Sequence, residues 1–109
     1  MKKVSIIIVT YNSEKDIYDC INSIIENSDI PLAEIELVVV DNNSTGCDTM
    51  FGKLKTLWGE DIILIKNSSN GGYGQGNNVG IRRCSAPLVL IMNRVVRLVC
   101  PIFHEAIVR

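Results

Sequence analysis

Aromatic side chains and histidine are scarce in this 109-residue sequence. Two phenylalanines, three tyrosines and one tryptophan make up 6% of it, and there is a single histidine. Because 47% of the residues are hydrophobic, the core is expected to pack mainly aliphatic side chains. The length allows one domain with a single core.

An excess of basic charge is also missing. Eleven Lys and Arg residues stand against 12 Asp and Glu residues. No stretch of the chain interleaves basic with aromatic residues, the pattern typical of surfaces that bind RNA or DNA. We therefore expect no nucleic-acid partner.

Clustered metal-binding cysteines are absent from the sequence. The four cysteines are Cys20, Cys47, Cys84 and Cys100, none in a Cys-x-x-Cys pair, and the one histidine, His104, has no ligand-like neighbour. Structural zinc sites need clustered Cys and His ligands, so none is expected. Dispersed cysteines are typical of small core residues in a reduced, cytoplasmic protein.

No apolar run is long enough to span a bilayer. The N-terminal segment "MKKVSIIIVTYN" begins like a signal peptide, but its apolar run covers only Val4 to Val9 and is largely β-branched, and polar residues follow. The sequence predicts a strand there. We expect a cytoplasmic location, with peripheral attachment to a membrane as the alternative.

Two common nucleotide-binding motifs are missing as well. A dinucleotide-binding fold would carry Gly-x-Gly-x-x-Gly directly after the first strand, where this chain reads "TYNSEKD". The glycine-rich segment comes later and is not followed by Gly-Lys-Ser/Thr, which excludes a P-loop. These absences argue against a nicotinamide-dependent oxidoreductase, although that class stays open as an alternative.

The sequence does contain a regular alternation of strands and helices. Continuous apolar runs predict four buried strands, "VSIIIVTY", "IELVVVD", "DIILIKN" and "PLVLIMN". Between them, "SEKDIYDCINSIIEN" and "DTMFGKLKTLWG" carry apolar stripes at helical spacing, and "GNNVGIRRCSA" predicts a short helix. This order predicts a parallel sheet with helices on both faces.

Short polar side chains gather at the predicted strand ends. They are found in 10–12, in 41–44, in the glycine-rich loop 67–80 and at Asn93. Ligands of such sheets bind at the carboxyl ends of the strands, so these segments are the candidate site. The glycine-rich loop could let backbone N–H groups approach an anion at a helix beginning at Asn77, or it could be a flexible connection.

Three of these segments resemble a known family. "VSIIIVTYN", "LVVVDNNSTG" and "NGGYGQGNNVGI", in this order, are similar to the nucleotide-sugar half of family-2 glycosyltransferases, with rhamnosyltransferase-like members nearest. The resemblance runs from Val4 to Asn93. It implies a glycosyltransferase A-type fold, a parallel-sheet three-layer sandwich, that binds a nucleoside-diphosphate sugar. Its activity would be inverting transfer to a saccharide or lipid-linked saccharide in polysaccharide biosynthesis.

The resemblance also assigns the binding residues. Thr10, Tyr11 and Asn12 would hold the base and ribose, and Asp41 would accept a hydrogen bond from the base ring N–H. Asp41 could instead cap the following helix, as could Ser44 or Thr45. The residues expected along the ribose and diphosphate are Asn43, Asn70, Gly71, Gly72, Tyr73, Asn77 and Asn78.

The end of the fourth strand departs from the family pattern. Relatives carry Asp-x-Asp or Asn-Pro-Asp there, and the last carboxylate holds Mg²⁺ or Mn²⁺ on the diphosphate. Here Asn93 matches, but Arg94 and Val95 replace the proline and the aspartate. The cation that the family implies is therefore in doubt, and Arg94 or Arg97 could neutralise the diphosphate directly.

The acceptor-binding half of the family's catalytic domain has no counterpart in the 109 residues. His104 and Glu105 are the only candidates for the general base that would deprotonate an acceptor hydroxyl. We interpret residues 1–109 as a single, truncated donor-binding domain that is inactive alone. A non-catalytic nucleotide-binding or assembly module is the alternative. The unpaired fourth strand also predicts a homo-oligomer.

Overall fold

The computed structural model describes residues 1–93, 98, 102 and 103. Four strands alternate with three α-helices, as the sequence predicts. The elements are β1 (Val4–Thr10), α1 (Glu14–Asn27), a 3-10 turn (Leu32–Glu34), β2 (Ile35–Asp41), α2 (Cys47–Trp58), β3 (Ile63–Lys66), α3 (Tyr73–Arg83) and β4 (Leu88–Ile91).

The four strands form one parallel sheet in the order β3-β2-β1-β4. β1 and β2 lie at its centre and are buried along their whole length, which explains their uninterrupted apolar sequences. Thr10 is the register partner of Asp41 at the carboxyl ends of these two strands. The predicted site residues at the ends of β1 and β2 therefore lie at the same edge of the sheet.

Helices cover both faces of the sheet, so the predicted three-layer sandwich is confirmed. On one face α1 and α2 pack on the alternate residues of β1 and β2 that include Ile6 and Leu37. On the other face, Ile7 and Val40 meet Val79 of α3. Because side chains alternate along a strand, odd-numbered residues of β1 and even-numbered residues of β2 face α3.

α3 begins four residues earlier than the sequence suggests, at Tyr73 rather than Asn77. Three glycines of the loop therefore lie inside a helix, where glycine is unfavourable. Two of them allow close packing on β1. A Cβ added at Gly76 would come within 2.8 Å of Val9, and one at Gly80 within 2.6 Å of Ile7. From Tyr73 on, the glycine-rich segment is therefore a helix packed on the sheet and not a flexible connection.

Described residues beyond Asn93 pack against α1. Leu98 and Phe103 are buried, the amide of Leu98 donates to Ser23, and that of Phe103 donates to Asp29. The sequence-based assignments to Arg94, Val95, Arg97, Cys100, His104 and Glu105 lie outside the described residues. Over the part of the chain that the structure describes, no helix has the length and apolarity needed to cross a membrane.

Candidate nucleotide-sugar site

Thr10 and Asp41 join the carboxyl ends of the two central strands through their side chains. The Thr10 hydroxyl donates to Asp41 Oδ1 at 2.8 Å, and both residues are fully buried. Both face α1 and α2, because they continue the alternation of Ile8 and Val39. The buried hydrogen bond between their side chains therefore joins β1 to β2 at the carboxyl-terminal edge of the sheet.

The Asp41 carboxylate also holds the turn before α2. Its Oδ2 accepts from the Ser44 amide at 2.7 Å, and Oδ1 accepts from the Ser44 hydroxyl at 2.6 Å. Burial raises the pKa of Asp41, but the hydrogen bonds from Ser44, Thr10 and Cys47 outweigh it, so that the pKa lies below its ordinary value. The carboxylate is ionised at neutral pH.

Asp41 is not the N-cap of α2. That position belongs to Gly46, which has a φ of 74° and is followed by a helix without a side-chain cap. Neither Ser44 nor Thr45 takes the capping place either. The alternative that a side chain in this segment caps the helix is therefore wrong, and the acid shapes the preceding turn instead.

Asn12 links the end of β1 to the same turn. Its amide donates to Ser44 Oγ at 2.8 Å, and its Oδ1 accepts from the Thr45 amide at 3.1 Å. Asn12 and Asn43 have φ values of 48° and 68°, a left-handed conformation that asparagine tolerates better than most residues. Asn43 is exposed, whereas the side chain of Asn12 is engaged within the turn.

Asn42 is a site residue that the sequence reasoning did not single out. It is 2% exposed, its Nδ2 donates to the Gly72 carbonyl at 3.1 Å, and its Oδ1 accepts from Asn67 at 2.7 Å. One side chain thereby ties β2 to the loop after β3 and to the start of α3. The alternation of β2 could have identified it, because Asn42 follows Val38 and Val40 on the α3 face.

The N-terminus of α3 points its amides toward the same edge. Gly72 is its N-cap, with a φ of 92° and no side-chain cap, and the Gly72 amide donates to Asn70 Oδ1 at 2.9 Å. The first amides of a helix have no acceptor within the helix and carry partial positive charge. Further along α3, Asn77 is 7% exposed and its Oδ1 has no hydrogen-bond partner among the described residues, whereas Asn78 is exposed.

A cleft of about 230 Å³ opens where these segments meet. It brings together five of the predicted residues, and Val9 and Asn42 complete the lining. The five are Thr10, Tyr11, Asn70, Gly72 and Tyr73. Tyr11 and Tyr73 are 46% and 43% exposed, so their rings are available to a ligand. The predicted residues outside the lining are Asn12, Asp41, Asn43, Gly71, Asn77 and Asn78.

Two larger clefts, each of about 510 Å³, lie elsewhere. One is lined by α1 and α2 residues such as Tyr18 and Lys53, and the other by residues of α2 and β3 such as Phe51 and Leu64. Neither contains a residue of the predicted site. The smaller cleft is the better candidate, because the asparagines, the exposed tyrosines and the helix N-terminus converge there.

The described residues do not fit a divalent cation. None of them form a group of three or more His, Cys, Asp or Glu side chains able to hold a metal ion. Asn93 is half-buried at the end of β4, where its amide would be a single weak oxygen ligand. The position of the family carboxylate, Val95, is among the residues left undescribed.

A known family matches most of the chain. A family model described as Glycosyl transferase family 2 covers residues 5–94. Poly(ribitol-phosphate) beta-N-acetylglucosaminyltransferase TarS of Staphylococcus aureus (strain Mu50) is 34% identical over 94 residues, which cover 85% of this chain and 16% of TarS. Poly(ribitol-phosphate) beta-glucosyltransferase of Bacillus spizizenii is 27% identical over 92 residues, or 84% of this chain and 14% of that protein.

Solved structures of glycosyltransferases also resemble this chain. The crystal structure of S. aureus TarS 1-349 in complex with UDP-GlcNAc superposes with a TM-score of 0.73 at 32% identity, covering 85% of this chain and 26% of that one. The mannosyltransferase PcManGT from Pyrobaculum calidifontis, in complex with GDP-Man and Mn²⁺, gives a TM-score of 0.72 at 25% identity over 85% of this chain and 27% of its own. The chain thus spans less than a third of each of these relatives. Together with the matched family model, these likenesses show that the chain belongs to glycosyl transferase family 2 and has the glycosyltransferase A-type fold.

Proposed function

We propose that this chain binds the nucleoside diphosphate of a nucleotide sugar in the 230 Å³ cleft, with a uridine or thymidine nucleotide as the preferred donor. The observation that carries the proposal is the lining of that cleft. It joins residues of all three family motifs. They are Thr10 and Tyr11 from the first motif, Asn42 from the second, and Asn70, Gly72 and Tyr73 from the third. TarS, a relative, is known in complex with UDP-GlcNAc, which supports a uridine donor.

The physical character of the lining suggests how the ligand is held. The exposed ring of Tyr11 offers a flat apolar surface to the base. The start of α3 has no side-chain cap, so the amides of its first turn, beginning at Tyr73, offer partial positive charge to the diphosphate. Asn70 and Asn78 would contact the ribose and phosphates from the loop and from α3.

Asp41 remains the proposed acceptor for the base ring N–H. In the described conformation its carboxylate is buried and is occupied by Thr10 and Ser44. A base would have to displace the Ser44 hydroxyl, after which the ionised oxygen would accept from the ring instead. Ser44→Ala should then leave nucleotide affinity unchanged or raise it, whereas Asp41→Ala should lower it.

A divalent cation is proposed to contribute little here. Mn²⁺ accompanies GDP-Man in the Pyrobaculum relative. In this chain Arg94 and Val95 follow Asn93, so the sequence supplies no carboxylate at that point. We propose Mg²⁺ or Mn²⁺ as the family's cofactor, with weak or no binding by these 109 residues.

Sugar transfer is proposed to require more than this chain. Inverting transfer to a saccharide or lipid-linked acceptor needs a general base and an acceptor pocket, and the motifs here account only for donor binding. The alternative, a non-catalytic nucleotide-binding or assembly module, is favoured by Val89 and Ile91, which are 40% and 45% exposed on the edge strand β4. A cytoplasmic or peripheral membrane location would serve either role.

Titration calorimetry tests the binding proposal. UDP and UDP-GlcNAc should release heat on mixing with the 109-residue chain, and NADH should not. Tyr11→Ala should weaken UDP binding by about 1–3 kcal/mol, the range found for stacking of a base on an aromatic ring. Tyr18→Ala is the matched control, because Tyr18 lines the α1/α2 cleft instead. Loss of binding in Tyr18→Ala but not in Tyr11→Ala would refute the choice of cleft.

A further inference from the structure

A buried carboxylate lies at the end of the sheet opposite the nucleotide cleft. Glu36, in the central strand β2, is 8% exposed and is the register partner of Ser5. A charged side chain in this position is costly unless it is fully hydrogen-bonded. Nothing in the proposed nucleotide site uses it.

Glu36 accepts three hydrogen bonds from two segments. Its Oε1 accepts from the Ser5 hydroxyl at 2.7 Å and from the Ser85 amide at 2.8 Å, and its Oε2 accepts from the Ser85 hydroxyl at 2.7 Å. The Ser5 oxygen in turn accepts from the Ala86 amide at 3.2 Å. Glu36 and Ser5 thus hold the two middle residues of the connection between α3 and β4, which runs from Cys84 to Pro87.

The surroundings favour an ionised Glu36. The charge of Arg83, at the end of α3, acts on it, and the Cys84 thiol is the titratable group beside it. Burial raises the pKa of Glu36, but the donations from Ser85 and Ser5, together with Arg83, outweigh this and lower it below its ordinary value. The three donors therefore face a full negative charge.

This network acts on one of the two short edge strands of the described sheet. β4 has four residues and pairs with β1 alone among the described strands, and two of its side chains, Val89 and Ile91, are exposed on the α3 face. Few buried contacts therefore fix its position along β1. Because the connection Cys84–Pro87 is short, holding Ser85 and Ala86 also fixes where β4 starts, with Leu88 opposite Val4.

We propose that Glu36 is a positioning residue that fixes the register of β4 and thereby the place of Asn93 at the site edge of the sheet. The consequence can be measured at the far end of β4. There the Met92 amide donates to the Ile7 carbonyl at 2.9 Å. The Asn67 amide makes the equivalent 2.9 Å bond to the Asp41 carbonyl at the end of β3 and serves as the internal reference.

Amide hydrogen exchange on the 109-residue chain tests this proposal. In Glu36→Ala, exchange at Met92 should accelerate by about tenfold or more relative to exchange at Asn67, because the network's loss releases β4 locally. Glu36→Gln should restore most of the protection, since its amide oxygen can accept from Ser5 and the Ser85 amide while its NH₂ donates to the Ser85 oxygen. Ser85→Ala removes one bond only and gives the same pattern at lower amplitude, which keeps the test usable if Glu36→Ala does not fold.

Glu34→Ala is the control variant. Glu34 lies two residues away and makes a surface ion pair with Lys3 at 3.3 Å, so its loss should leave the ratio of the two exchange rates unchanged. An equal acceleration at Met92 and Asn67 in Glu36→Ala would mean that Glu36 contributes only to global stability, which overturns the proposal. Failure of Glu36→Gln to restore protection at Met92 would also overturn it.

Nucleotide binding provides a second measurement, which rests on the proposed function. UDP affinity should fall in Glu36→Ala and recover in Glu36→Gln, because α3 and β4 are held by the same connection. If the unaltered chain binds no UDP, the proposed function fails, whereas the exchange ratio still decides the role of Glu36. Equal UDP affinity in the unaltered chain and Glu36→Ala would contradict an effect of Glu36 on the site.

Discussion

The hydroxyl of Thr10 donates to the carboxylate of Asp41, its register partner, at the buried ends of β1 and β2. This bond joins the first two family motifs. It also places the acid on the α1/α2 face of the sheet, whereas the cleft opens on the α3 face. Asp41 consequently has a structural role in addition to the role in nucleotide recognition that we propose for it.

We predict that Asp41→Ala lowers the free energy of unfolding by about 1–3 kcal/mol at pH 7, because several buried donors lose their acceptor. The folded-state pKa of Asp41 is depressed. The contribution of the ionised Asp41 to the free energy of unfolding is therefore fully present above the ordinary carboxyl pKa. It is lost as the pH falls through the lower pKa of the folded state. Urea unfolding at pH 7 and at about pH 3 should show a smaller difference between the two proteins at the lower pH. A difference that grows on acidification would contradict the assignment.

The glycines of α3 should respond differently to alanine. A methyl group added at Gly74 would enter open space, so Gly74→Ala should stabilise the protein by about 0.5–1 kcal/mol through helix propensity. Gly80→Ala should destabilise it by about 1–3 kcal/mol, because the methyl group would meet Ile7 at 2.6 Å. Thermal unfolding of the two variants measures both effects. Equal stability of the two variants would show that α3 does not pack on β1 as closely as described.

The sequence predicts some elements of this fold better than others, and the glycines of α3 show why. The β-branched runs of β1 and β2 and the stripe of α1 predict those elements because their side chains are buried in regular patterns. The first turn of α3 was missed because glycine has poor helix propensity, and close packing on β1 overrides that propensity only in the folded chain.

The candidate site was predicted only in part for a related reason. Strand ends locate its edge, but they do not say which face of the sheet each side chain takes. The second family motif predicts Asp41 as the binding residue. The alternation along β2 instead places Asn42 on the α3 face, where it lines the cleft. The contacts of Asn42 with Gly72 and Asn67 depend on the path of the loop, which no local pattern encodes.

The edge strand supports a prediction about assembly. Val89 and Ile91 expose apolar side chains on a strand without charged residues, and such edges favour self-association. We predict a dimer or larger species at micromolar concentration in sedimentation velocity, and a monomer for the double variant Val89→Lys, Ile91→Lys. Ile81→Lys introduces a single lysine at a comparably exposed apolar position on α3, outside β4, and should change the distribution less. A monomer for the unaltered chain would refute this prediction.

The last prediction is that the 109-residue chain transfers no sugar. Departure of the nucleoside diphosphate develops negative charge, and electrostatic stabilisation of that charge often dominates the barrier. The sequence reads Asn93-Arg94-Val95, so the carboxylate that would hold a cation there is replaced by an apolar side chain. Proton transfer by a positioned base, worth on the order of 10²–10⁴-fold, would be a separate loss.

The double variant Arg94→Pro, Val95→Asp tests the loss of the cation-binding carboxylate separately from the loss of the general base. It creates the Asn-Pro-Asp pattern that the family resemblance implies and should make UDP binding tighter in Mn²⁺ than in EDTA, while sugar release from labelled UDP-GlcNAc over hours stays at the uncatalysed level. Val95→Asn in the same Arg94→Pro background is the control, because it matches the size of aspartate without its charge and should show a much weaker Mn²⁺ effect. Sugar transfer by the unaltered chain would refute the assignment of a donor-binding role alone. An absence of any Mn²⁺ effect in the aspartate variant would mean that position 95 does not stand where the family carboxylate does.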